Sequence, residues 1–151
     1  MLLSNACIYG MRASVYLASL SNEESYTSIT KISEELDISR HFLTKVLQNL
    51  TNAGLMESMK GPKGGVRLKF DGDNIALLEI VAAIDGMDIL TECALGLPGC
   101  GTEKPCPIHD KWADTRENIR KLLERTTLEE LVKKGKEGNL RIAPDGDFKW
   151  G

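Results

Sequence analysis

The sequence predicts a mainly α-helical fold with one small β-hairpin, a winged helix-turn-helix followed by further helix. Two observations predict it. Apolar residues recur at helical spacing in two neighbouring stretches, Ile29, Ile32 and Leu36, then Leu43, Val46, Leu47 and Leu50, with a short break between them. Directly after them, "LMESM" and "VRLKF" flank "KGPKGG", whose Pro and Gly suit a hairpin tip.

The remaining elements follow in order. Residues 4–20 read as a helix, with Ile8, Met11, Val15 and Leu17–Ala18 near helical spacing. "SNEESYTS" is a polar connector. Thr27 or Ser28 caps the next helix, the break "DIS" ends it, and Ser39 caps the one after. Gly54 stands where a C-terminal glycine belongs. "DNIALLEIVAAIDG" is a further helix, capped by Asp73 and ended by Gly86. From Ile108 a helix resumes, with Trp112, Ile119, Leu122 and Leu123 on one stripe. "TTLEEL" opens a shorter helix, with Thr127 and Glu130 spaced as a capping box. The last residues are rich in Gly and charge and are expected to be poorly ordered.

The 151 residues make roughly one domain. No run approaches the roughly 20 apolar residues that span a bilayer. The start, "MLLSNACIYGMRAS", has no basic, apolar and small-residue succession of a signal peptide, so the expectation is a cytoplasmic protein with no membrane partner. Net charge is −3, but residues 39–69 hold Arg40, Lys45, Lys60, Lys63, Arg67 and Lys69 against Glu57 alone. A basic island in an acidic chain is the electrostatic footprint of a polyanion partner.

The second helix of a helix-turn-helix enters the major groove of double-stranded DNA. With Leu43, Val46, Leu47 and Leu50 turned inward, its other face presents Ser39, Arg40, His41, Thr44, Lys45 and Gln48. Arg and Lys pair with guanine, Gln with adenine, and Ser, Thr and Lys grip phosphate. Ser28, at the mouth of the first helix, joins the set. The hairpin tip adds Lys60, Lys63 and Arg67, with Gly61 and Gly64 permitting close approach. For any one of these residues a solvated face is the plainer account. The whole set agrees on DNA.

Residues 93–112, "CALGLPGCGTEKPCPIHDKW", hold three of the four cysteines. Cys93, Cys100 and Cys106 are widely spaced, and His109 follows Cys106 in a C-x-x-H step. Grouped cysteines in a reducing compartment point to metal or redox chemistry rather than a disulfide framework. Thiolates select zinc, Cu(I) or iron in clusters. The wide gaps suit a [2Fe–2S] or [4Fe–4S] cluster, while zinc and metal-free redox thiols stay open as alternatives. Cys7, on the apolar first helix, reads as core.

Three marks carry a resemblance over about residues 1–135: "YGMRASVYLA", "ISRHFLTKVLQNLTNAGLMESMKGPKGGVRL", and the triple-cysteine loop after "LLEIVAAIDG". The chain resembles the Rrf-type winged-helix transcriptional regulators, whose members include IscR-like and NsrR-like iron–sulfur regulators. The resemblance implies a homodimer, a pseudo-palindromic operator, and Cys93, Cys100 and Cys106 as cluster ligands. It matches His109 to the histidine that completes the site in IscR-like members. Other members take that ligand from the partner's first helix, where this chain has Asn5, Cys7, Ile8 and Tyr9. No carboxylate stands at the position that NsrR-like members use; Ile8 occupies it. Lys60 stands where an arginine is common, and Lys63 interrupts the glycine run. The implied division is 1–86 as DNA reader, 87–107 as cluster loop, 108–135 as dimerisation helices, and 136–151 as a flexible tail. Trp112, Ile119, Leu122 and Leu123 fall to the dimer interface. With no Gly-rich phosphate loop and no nucleophile–base pair, an enzyme with a small-molecule substrate is not expected.

Overall fold

A computed structural model of the chain describes residues 2–20, 25–69, 74–144 and 148–150. Among the described residues six helices and one hairpin run in the order α1 (Asn5–Ser19), α2 (Ile29–Leu36), α3 (Arg40–Asn52), β1 (Met56–Met59), β2 (Gly65–Leu68), α4 (Leu77–Ile84), α5 (His109–Arg125) and α6 (Leu128–Gly138). A short 3₁₀ turn, Asp88–Leu90, opens the cysteine loop between α4 and α5.

The caps explain most boundaries. Ser4 accepts from the Cys7 amide and starts α1. Ser28, rather than Thr27, accepts from the Lys31 amide and starts α2. Thr127 accepts from the Glu130 amide and starts α6. The Glu130 carboxylate pairs with Lys134 one turn on. Ser39 occupies the N-cap position of α3 without a side-chain cap bond. Gly54 and Gly86, both at positive φ, end α3 and α4 as expected. The fourth helix begins at Leu77, later than the sequence suggests. There the Glu79 carboxylate accepts from the Ala76 amide. The expected cap Asp73 lies outside the described residues.

The hairpin is antiparallel, with Met56 opposite Leu68 and Met59 opposite Gly65. Thr27 pairs with β2 from outside the hairpin: its N–H donates to the Val66 carbonyl, and the Val66 N–H donates back, both at 2.9 Å. That exchange fastens the wing to the entrance of α2. It demands Gly65, whose φ is +148° and at which any Cβ would overlap the Thr27 carbonyl oxygen.

Leu43, Val46, Leu47 and Leu50 are all buried, as the helical stripe requires. The main core joins Leu43, Leu47 and Leu50 to Ala13, Tyr16 and Leu17 of α1, to Ile32 and Leu36 of α2, and to Met56 and Val66 of the hairpin. A second cluster, Cys7, Val81 and Leu123, with Ile119 packed against it, seats α5 on α1 and α4.

Two expectations change here. The segment after α6 is not loose where it is described. Ala143 and Phe148 are buried, Phe148 meets the Tyr16 ring edge-on at 5.7 Å, and Trp150 meets Phe148 at 5.2 Å. Its aromatic residues outweigh its Gly and charge content by supplying apolar area that the core takes up. The stripe on α5 also divides. Leu123 is 4% exposed within its own chain, whereas Leu122 is 62% exposed. Adjacent helical residues point about 100° apart, so one cannot serve the same face as the other.

Cys7 is core, as its apolar surroundings suggest. Burial pushes its thiol up to about 12, with the Asp85 carboxylate adding to the effect. The thiol stays protonated in the folded chain while the unfolded one ionises above its ordinary value. Stability conferred by Cys7 is therefore complete below pH about 9 and lost as pH climbs towards 12. The advantage of wild type over Cys7→Ala, measured by urea denaturation, is expected to shrink across that window. An advantage independent of pH would contradict it.

Candidate nucleic-acid interface and thiol site

The outward face of α3, the mouth of α2 and the hairpin enclose one cleft of about 570 Å³. Ser28, Arg40, Thr44, Gln48, Lys60, Gly61 and Gly64 all line it. So do Thr30, Thr51, Asn52 and Ser58, which the sequence reading leaves out although they fall on the same faces. Ser39, His41, Lys45 and Lys63 are exposed beside the cleft rather than in its wall. Thr44 also bonds back to the Arg40 carbonyl at 2.8 Å, which leaves its hydroxyl oxygen as an acceptor.

Arg67 stands apart. Its guanidinium donates from Nε and Nη2 to Glu57 Oε2 at 3.0 and 2.9 Å, and it lies over the Tyr26 ring at 4.5 Å. Those contacts brace the two strands of the wing. These contacts give Arg67 a structural part in the wing, beside its expected place in the DNA-facing set.

Three cysteines and one histidine meet at the other end of α4. Cys93 Sγ and Cys106 Sγ are 3.5 Å apart, and Cys100 Sγ lies 3.5 Å from His109 Nδ1. His109 opens α5 and is 8% exposed, so one turn of helix fixes its ring. The Cys93 thiol is held below the usual cysteine range, first by the Leu97 amide and then by that of Leu95.

The donor types fit a soft metal centre. As they stand, the four side chains form two pairs. Among the described residues, no group of three or more is closed around a metal position. The space they line with Gly99 and Gly101 is about 20 Å³, close to one water-sized sphere. Residues 91–108 contain no helix or strand after the 3₁₀ turn. Cys7 is buried in the second apolar cluster of its own chain.

Side chains of α5 hold the loop in place. Trp112 Nε1 and Arg116 Nη1 both donate to the Glu92 carbonyl, at 2.8 and 2.9 Å. Arg116 Nη1 also reaches Cys100 Sγ at 3.4 Å. The sequence reading assigns Trp112 to a dimer interface and gives Arg116 no role, yet a signal is there. Trp112 and Arg116 follow His109 by three and seven residues, on one helical face.

A profile of the Rrf2 family, described as iron-dependent transcriptional regulators, matches residues 3–134. The chain belongs to the Rrf2 family. IscR of Xenorhabdus nematophila, an HTH-type transcriptional regulator, is 35% identical over 114 residues, which is 76% of this chain and 69% of its own. IscR of Photorhabdus laumondii is 33% identical over 135 residues, covering 84% and 82%. Among solved structures, CymR, the global cysteine regulator of B. subtilis, superposes with a TM-score of 0.72 at 28% identity, over 87% of this chain and 95% of its own. T. potens IscR gives 0.72 over 92% and 91%, and at 22% identity it speaks for the Rrf2 fold alone. The winged-helix fold is thereby established. The Rrf2 chain is a DNA-binding transcriptional regulator and not an enzyme. No helix among its described residues is long and apolar enough to cross a membrane.

Proposed function

We propose that two copies of the chain bind a pseudo-palindromic operator, each reading one half-site, and that an iron–sulfur cluster tunes their grip. The observation that carries this reading is the gathering of Cys93, Cys100, Cys106 and His109 at the start of α5. Those four residues are the proposed ligands, with zinc as the alternative occupant. The cluster, when bound, supplies an iron–sulfide core that oxygen, nitric oxide or iron shortage can alter. Everything else belongs to the chain. The loop is joined to α5, α5 packs on α4, and α4 packs on α1 and α3. A change in the loop therefore has a short packed route to the recognition helix. The exposed Leu122 on α5 is the residue that suits pairing with a second copy.

Oxygen-free purification, an absorption spectrum and counts of iron and sulfide test the reading. Brown protein with matched iron and sulfide supports it. Zinc in their place supports the alternative, and a colourless metal-free chain removes the cluster.

A second reading has its own observation. Cys93 and Cys106 already touch, so two-electron oxidation with loss of two protons would join them without moving the backbone far. Mass spectrometry of air-oxidised, metal-free protein would show the Cys93–Cys106 link if this reading holds.

The cleft carries a separate prediction. Replacing Lys60 or Lys63 by alanine is expected to weaken binding to all duplexes alike. The slope of log K against log salt should become shallower by about 0.9 for each phosphate that is no longer neutralised, summed over both subunits. Arg67→Ala should instead destabilise the wing by roughly 0.5 kcal/mol, since its pair with Glu57 is partly exposed and screened, with little change in that slope. Titrations at several salt concentrations separate the two behaviours.

A further inference from the structure

We infer that Arg116 is the positioning residue that fastens the cysteine loop to α5. One guanidinium nitrogen, Nη1, makes both contacts: the Glu92 carbonyl at 2.9 Å and Cys100 Sγ at 3.4 Å. Glu92 directly precedes Cys93, and Cys100 is the middle cysteine, so a single cation ties the start of the loop to its centre. Arg116 is half-buried, and its contact with Cys100 Sγ is partly shielded from water, whereas its bond to the Glu92 carbonyl is exposed. Trp112 supports the first contact from one turn earlier, and Arg120 adds a longer one to the Leu90 carbonyl at 3.4 Å. Cys93 and Cys106 instead meet each other. The middle of the loop is thus pinned to the helix, while its flanks are held by one another.

Arg116 thereby sets where Cys100 sits relative to His109, with or without an occupant. A cation donating to the sulfur also offsets negative charge that builds there when Cys100 acts as a ligand. The helix proposed to pair with a second copy and the loop proposed to sense then share one residue. Displacing the loop must either break the Arg116 bonds or pull on α5.

The inference rests on the proposed cluster site for its functional meaning, but its test begins on the metal-free chain. In Arg116→Gln, amide hydrogen exchange over residues 91–101 is expected to rise about three- to tenfold, from loss of the charge-assisted bonds. Arg116→Lys, which keeps the charge and a multiple donor, should restore part of the protection. Exchange in α1, α2 and α3 should stay as in wild type. Unchanged exchange over 91–101, or a rise spread evenly over the winged helix, overturns the inference. In the anaerobically loaded protein, iron release to a chelator should quicken in Arg116→Gln by a similar factor; unchanged release with matched folding counts against it. If wild type takes up no iron, the cluster reading fails by itself, and the exchange result still decides the role of Arg116.

Discussion

A chain carrying Cys93→Ser, Cys100→Ser and Cys106→Ser is expected to bind duplex DNA but to hold no iron or sulfide, and to lose all response to oxygen. Serine keeps the size of cysteine, and the three thiols sit in a half-exposed loop outside both apolar clusters. The fold of the reader should therefore survive. A hydroxyl is a poor ligand for soft metals, so the site should not reload. If the loop and operator are coupled by the usual 1–3 kcal/mol, wild type changes its affinity about 5- to 150-fold between loaded and stripped forms, and the triple variant collapses that ratio to about one. Fluorescence anisotropy on both proteins, with and without air, reads the ratio directly. A several-fold response surviving in the variant would sink the sensing proposal and leave the DNA reader untouched.

Gly65→Ala should do the opposite and damage the reader while sparing the loop. The residue sits at φ +148°, where an L side chain is strained by about 1–3 kcal/mol. Its Cβ would also overlap the Thr27 carbonyl oxygen, which is backbone and cannot rotate aside. Relief requires separating Thr27 from Val66, with loss of both 2.9 Å bonds. We expect about 2–4 kcal/mol of destabilisation in urea. The larger effect is on DNA, because Lys60, Gly61 and Gly64 face Arg40, Thr44 and Gln48 only while the wing stays tied to α2. Operator affinity should fall tenfold or more, and cluster content per folded chain should not change. Wild-type stability and affinity would mean that the Thr27 pairing does not hold the wing.

The reader is largely legible from sequence because its signals are local. Leu43, Val46, Leu47 and Leu50 define a helix face by spacing alone, Gly54 ends it, and the Pro–Gly tip forces a reversal. The sulfur loop is legible in composition but not in geometry. Nothing local says that Cys93 meets Cys106 while Cys100 meets His109, because irregular backbone places them. The contacts of Arg67 are hidden for a related reason: nothing local says that Glu57 across the ladder and Tyr26 from another segment meet its guanidinium. The tail misleads because Gly and charge content hide Phe148 and Trp150: Phe148 meets Tyr16 on α1, more than a hundred residues away, and Trp150 meets Phe148. Trp150 packs on Gly135, where a Cβ would overlap its ring, so α6 needs a residue without a side chain at that point.

Arg12 sits where three remote stretches converge. Its guanidinium donates to the Leu36 carbonyl, at the last turn of α2, and to the Ile142 carbonyl at 2.6 Å. Trimming the chain after α6 would strip that cation of one acceptor and withdraw Phe148 from Tyr16 in the same cut. A shortened version made to isolate the operator-binding half would thus be born loosened at the turn between its two key helices. Its weakened grip could then be mistaken for the absence of a sensor, when what is missing is a buttress.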